Sequence, residues 1–180
     1  MLGEAIVRWT ARLAAAAYLT RISFDVLAPR NERVQRWNRG IWTVGCLVFL
    51  AHAVTAFHFY HGWSHAAAFE HVRKQTLQLT GFNSGFGLYL NELMAAWWTI
   101  DAVLWSRNLR WPENRGAYWS LHAFFAFMMF NATVVFGPRG WIQVLILWMV
   151  VMVGFTRWGS TWRVKPKAEL ESFGERSRDE

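Results

Sequence analysis

The sequence predicts an all-α integral membrane protein: a bundle of four transmembrane helices with a further amphipathic segment ahead of them. Three observations predict it. Four stretches, near 40–62, 84–106, 117–137 and 142–158, are apolar, hold no more than two acidic residues each, and hold no basic residue before Arg157. Each is comparable in length to the ~17–25 helical residues that cross a hydrocarbon core of about 30 Å. Charged residues make up 17% of the chain and apolar residues 54%, whereas soluble domains carry roughly 25% charge. A soluble bundle would have too little polar surface to cover four such helices. Finally, the basic residues gather at alternate connections, as a membrane topology requires.

Residues 4–27 come first. Glu4, Arg8, Arg12, Arg21 and Asp25 fall on one half of a helical wheel, and Ile6, Trp9, Leu13, Ala17, Phe24 and Leu27 on the other. This fits a helix lying on the cytoplasmic interface. It fits equally a fifth span whose polar side faces its neighbours and whose arginines snorkel. Pro29 stops that helix. The short apolar run Leu13–Thr20 sits between Arg12 and Arg21 and lacks a cleavage site, so it does not read as a signal peptide.

The connection before the 40–62 span carries Arg30, Arg33, Arg36 and Arg39. The connection "SRNLRWPENRG" carries Arg107, Arg110 and Arg115, and the last span is followed by Arg163, Lys165 and Lys167. The connection 63–83 has only Arg73 and Lys74, and the turn "PRG" only Arg139. The excess alternates, which places 63–83 outside and the C-terminus in the cytoplasm of a bacterial-type inner membrane. The net charge of +7 is then accounted for by basic membrane flanks, with no nucleic-acid partner. Trp63, Trp111, Trp141 and Trp158 lie at predicted span ends, where amphipathic rings favour the headgroup layer. Gly81 and Gly85 have the small-xxx-small spacing that permits close helix approach. Residues 1–165 thus form one membrane domain. The charged tail 166–180 is poor in large apolar residues and is expected to be disordered.

Ionisable groups inside spans are costly, and therefore informative. Counted at ~1.5 Å per residue from the cytoplasmic end, His52 lies ~18 Å up and His58 ~27 Å up. On the next spans Glu92 and Asn91 lie ~21–23 Å up, Tyr89 ~26 Å and Asn131 ~21 Å. Asp101 and His122 share a lower layer, ~8 Å up, and are expected to form a buried pair.

The segment "HFYHGWSHAAAFEH", residues 58–71, holds four of the six histidines. His58, His61 and His65 are spaced i, i+3, i+7 and share one helical face if the helix continues through Gly62. Imidazole is the commonest ligand for Zn, Cu and Fe. With Glu92 at matching depth, His58, His61 and His65 make a candidate transition-metal site at the outer mouth, which Glu70 or His71 could join. Haem b fits less well, because an axial pair of His52 or His58 with His122 would have to bridge ~10–19 Å of depth. The separated, cytoplasm-facing histidine boxes of membrane desaturases do not match this single outward cluster.

Two functions follow. One is a membrane metalloprotein in redox, oxygen chemistry or metal handling. The other is an accessory subunit that partners the bilayer and other membrane subunits without chemistry of its own. A proton or solute carrier using Glu92, Asp101 and the histidines is a third class, although no inverted repeat supports it.

Overall fold

A computed structural model describes residues 2–28, 31–107, 115–135, 137 and 140–162. Among these residues the protein is all-helical: α1 (Leu2–Leu27), α2 (Glu32–Tyr60), α3 (His65–Thr80), α4 (Gly87–Ser106), α5 (Arg115–Phe130) and α6 (Trp141–Trp162). A π-helical turn, Asn131–Val135, extends α5. The tail expected to be disordered, Pro29, Arg30, Arg110, Trp111 and Arg139 lie outside the described residues. The chain divides into two compact units, residues 1–142 and 143–180.

The first unit is built on an antiparallel pair. A Cβ on Gly3 would come within 2.6 Å of the Phe59 ring, so the start of α1 lies against the end of α2. Further along, His52 Nδ1 is 3.0 Å from the Val7 carbonyl. At the other end, Asn38 donates to Asp25 at 2.8 Å. Gly45 lets the helices close: a Cβ there would lie 2.9 Å from Ala17 on α1 and 3.0 Å from Trp98 on α4. Three helices meet where α2 has no side chain.

Four helices share one core. α1 gives Ala15 and Tyr18, α2 gives Trp42 and Cys46, α4 gives Met94, Trp98 and Ala102, and α5 gives Leu121, Phe125, Met128 and Met129. The aromatic members interlock, with Trp42 and Trp98 centroids 4.7 Å apart and Phe125 5.3–5.5 Å from both. Such offset and edge contacts add about 0.5–1.5 kcal/mol per pair beyond area burial.

The orientation of α1 departs from a simple apolar-inward wheel. Trp9 and Leu13 stay more than half exposed, while Arg21 is buried. Only the C-terminal part of its polar side turns inward: Glu4 and Arg8 pair with each other at the surface, both about half exposed.

The connection 63–83 contains an unpredicted helix. α3 is capped by Ser64, whose side chain accepts from Ala67 N, and is closed by Gly81 at φ 80°. The Ser64 cap, three alanines and the Glu70/Lys74 spacing were its local signals. Gly85 packs tightly, since a Cβ there would reach 2.7 Å from the Phe69 ring, whereas a Cβ on Gly81 would meet nothing within 4 Å. The two glycines therefore serve different ends: Gly85 allows close approach, and Gly81 supplies a left-handed cap.

Among the described residues one helix, α2, is long and apolar enough to cross a membrane. Trp119–Val135 and Trp141–Arg157 are apolar but shorter. In the second unit, α6 continues from Gln143 to Trp162.

Candidate functional site

The histidine cluster of residues 58–71 is set by how α2 ends. The helix stops at Tyr60 and does not run through Gly62. Gly62 and Trp63 both take left-handed backbone, at φ 53° and 63°. The Trp63 N–H returns to the Phe57 carbonyl at 3.1 Å, closing the helix in a Schellman-like turn. This corrects the one-face geometry expected of His58, His61 and His65, because His65 opens a different helix. His58 lies against Phe59 and Trp63, with centroids 4.7 Å and 6.3 Å away. His61 pairs with His71 at 5.2 Å. His65 Nε2 is 2.8 Å from Glu92 Oε1, and its ring is 5.7 Å from that of Tyr89.

Two of the four candidate ligands, His65 and Glu92, are thus brought together. Both are roughly half exposed, and the contact ties the start of α3 to α4. His58 and His61 take other neighbours. No group of three or more His, Cys, Asp or Glu side chains suited to a metal ion occurs among the described residues. The shared outer layer inferred from depth does not converge either. His52 turns to Val7 and Thr10 on α1, and Asn131 donates to the Phe127 carbonyl of its own helix at 2.8 Å. Matching depth fixes height only; the direction around each helix decides contact.

On α3, Arg73 grips Glu70 with two donors, both at 2.7 Å, and also donates to Asn83. These charged hydrogen bonds hold the Glu70 carboxyl down to about 2, and Glu70 in turn raises Arg73. Glu70 is committed to this clamp and is not oriented to the His65–Glu92 pair.

The region around Asp101 and His122 brings together more groups than spacing predicts. Arg21 and Asp25 form an ion pair one helical turn apart on α1, and Asn38 of α2 joins it by donating to Asp25. The Arg21 guanidinium lies 4.2 Å from the Trp105 ring centroid and 5.6 Å from that of Trp42. Trp42 donates its indole N–H to Asp101 at 2.7 Å. Tyr18 donates its hydroxyl to the His122 carbonyl at 3.2 Å, and the His122 ring is 6.3 Å from Trp42. Asp101 and His122, expected as a pair, share Trp42 as a neighbour. Arg21, Asn38 and Trp42 were the missed members. The i, i+4 spacings of Arg21 with Asp25 and of Asn38 with Trp42 were the available signal.

Arg21, Asn38, Asp101 and His122 are all at least nine-tenths buried. A buried charge is tolerated only when paired and hydrogen-bonded. This cluster meets that condition in part: Arg21 is paired with Asp25, while Arg21 Nε and Asn38 Oδ1 are buried without a hydrogen-bond partner among the described residues. Its contacts draw on α1, α2 and α4, plus a backbone carbonyl of α5, and so tie four helices together.

Comparison with family models, with curated proteins and with solved structures gives no match.

Proposed function

We propose that this chain is a multi-pass integral membrane protein that serves as a non-catalytic helical subunit of a larger membrane assembly. One observation carries this: the first unit buries a charged cluster beside its apolar core and leaves large apolar faces exposed. Its charged cluster is buried, while Val44, Leu47 and Val54 of α2 and Leu93 and Ile100 of α4 remain about half exposed or more. In water those faces would be an aggregation hazard. In a bilayer they are ordinary lipid or subunit contacts, and internal polar pairs hold the helices together. α2 spans. α4, α5 and α6 cross with help from their flanks, and α1 is the fifth span. On this reading residues 63–83 face outward from an inner membrane of bacterial type, and the C-terminus faces the cytoplasm.

Two measurements test it. A reporter fused after residue 166 should be active only in the cytoplasmic form, and labelling at Lys74 should need no permeabilisation. The opposite pattern removes the topology. In mild detergent the protein from native membranes should migrate in a defined species well above 21.0 kDa plus its micelle. A clean monomer removes the subunit role and leaves the membrane role intact.

The 2.8 Å contact of His65 with Glu92 favours a second reading. A histidine nitrogen and a carboxylate oxygen from two elements are a start of a Zn, Cu or Fe site, with solvent completing the coordination. The His61–His71 pair offers a second pair of nitrogens nearby in sequence. Under this reading metal copurifies in stoichiometric amount and His65→Ala or Glu92→Gln removes it. Binding weakens as pH falls through the ordinary histidine range near ~6.5. Metal content near zero after purification without chelator from metal-replete cells rules it out.

A further inference from the structure

Near the start of α2 the surface holds an open groove of about 600 Å³. Its lining changes character along the helix axis. Arg33 and Arg36 come first, then Trp37 and Gly40, then Ile41 and Val44, with Ala17 of α1 opposite. The change from basic to aromatic to apolar takes eleven residues, about 16 Å of helix. Gly40 keeps the groove open, since a Cβ there would meet nothing within 4 Å. Trp37 is 67% exposed. Both arginines are exposed, and neither enters an ion pair among the described residues.

We infer that this groove binds one anionic glycerophospholipid of the cytoplasmic leaflet, its phosphate on Arg33 and Arg36 and an acyl chain along Ile41, Val44 and Ala17. The inference rests on the membrane reading and goes beyond it, to a specific ligand. Charge complementarity selects the anion: a guanidinium presents a fork of donors that matches phosphate oxygens. The order of the lining selects an amphiphile. A soluble phosphate would satisfy the arginines and leave the apolar wall wet. A lipid fills both ends at once, with Trp37 at the level where indole rings prefer to lie. Basic grooves between helices on the cytoplasmic side are suited to anionic headgroups, and that leaflet supplies them.

The test uses the full chain, delipidated and exposed to an equimolar mixture of dioleoylphosphatidylglycerol and dioleoylphosphatidylcholine, with adducts counted by native mass spectrometry. The wild type should retain phosphatidylglycerol in excess, with about a fivefold preference contributed per arginine at low salt. Arg33→Gln with Arg36→Gln should bring the two lipids to parity. Gly40→Leu keeps both charges and helical backbone but fills the groove, and should reduce retention of both lipids. Equal retention by the wild type overturns the inference, as does a preference that survives the double arginine change. So does unchanged retention in the Gly40→Leu protein. An alkaline carbonate wash separates the two levels. A chain released by it ends the membrane reading as well, whereas a chain that stays embedded without lipid preference ends only this inference.

Discussion

Trp42 and Trp98 offer an internal comparison, because they share packing but not hydrogen bonding. They are 1% and 0% exposed, touch each other, and both lie against Phe125. The Trp42 N–H donates to the Asp101 carboxylate at 2.7 Å. The Trp98 Nε1 is buried and has no acceptor among the described residues. Replacing either by Phe removes a similar volume, so the cavity cost is common to both. It is below the ~3–5 kcal/mol of a full truncation to Ala. Trp42→Phe also removes a hydrogen bond to a charged group, which contributes about 1.5–3 kcal/mol. Trp98→Phe removes a buried donor that nothing satisfies, which offsets part of its cavity cost. The expected result is that Trp42→Phe is the more destabilising by at least about 1.5–3 kcal/mol. Asp101→Leu should also cost less in the Trp42→Phe background than in the wild type, because the two groups are coupled. Reversible unfolding in mixed micelles, followed by far-ultraviolet circular dichroism, measures the four variants against the wild type. Equal losses for the two tryptophans, or additive losses within ~0.5 kcal/mol for Trp42 and Asp101, would refute the assigned hydrogen bond.

The Glu70–Arg73 clamp predicts acid sensitivity confined to α3. The Glu70 carboxyl is held at about 2, below its ordinary 4.5, so its contribution is complete above about 4.5 and is lost as pH falls through about 2. Amide protection across 65–83 should fall in that window more in the wild type than in Glu70→Gln, and identical profiles would remove the clamp. The glycines of α2 should respond oppositely to alanine. Gly40→Ala should stabilise by about 0.5–1 kcal/mol, since it adds a helix former in open space. Gly45→Ala should destabilise by about 1–3 kcal/mol, since its Cβ would press on Ala17 and Trp98; equal effects at both sites would mean that the helices do not meet at Gly45.

Much of the fold was legible in the chain because helix formation in apolar runs is a local property. The runs at 40–62, 84–106, 117–137 and 142–158 correspond to α2, α4, α5 with its π-helical turn, and α6. Residues 4–27 correspond to α1. The sequence also carried the identity of two groups that take an interior, Asp101 and His122, singled out because charge is expensive in an apolar setting; Glu92, singled out on the same ground, stays roughly half exposed beside His65. Their partners were a different matter. A partner depends on the rotation of one helix against another, and no one-dimensional spacing contains that angle. His65 and Glu92 meet because α2 ends at Tyr60 and a left-handed turn through Gly62 and Trp63 starts α3 in a new direction. The same turn separates His58 and His61 from His65, although their spacing on an unbroken helix would have aligned them. Arg21 reads in sequence as one of several charged residues on the polar half of an amphipathic helix. It becomes a buried charge only because α1 lies antiparallel to α2, bringing Asn38 to Asp25 and Trp42 and Trp105 over the guanidinium. The sequence by itself determined which apolar segments are helical and which side chains are costly to leave alone, but not the polar helix α3. Tertiary structure decided which of those side chains satisfy one another, because pairing is a property of the angles and close approaches between helices.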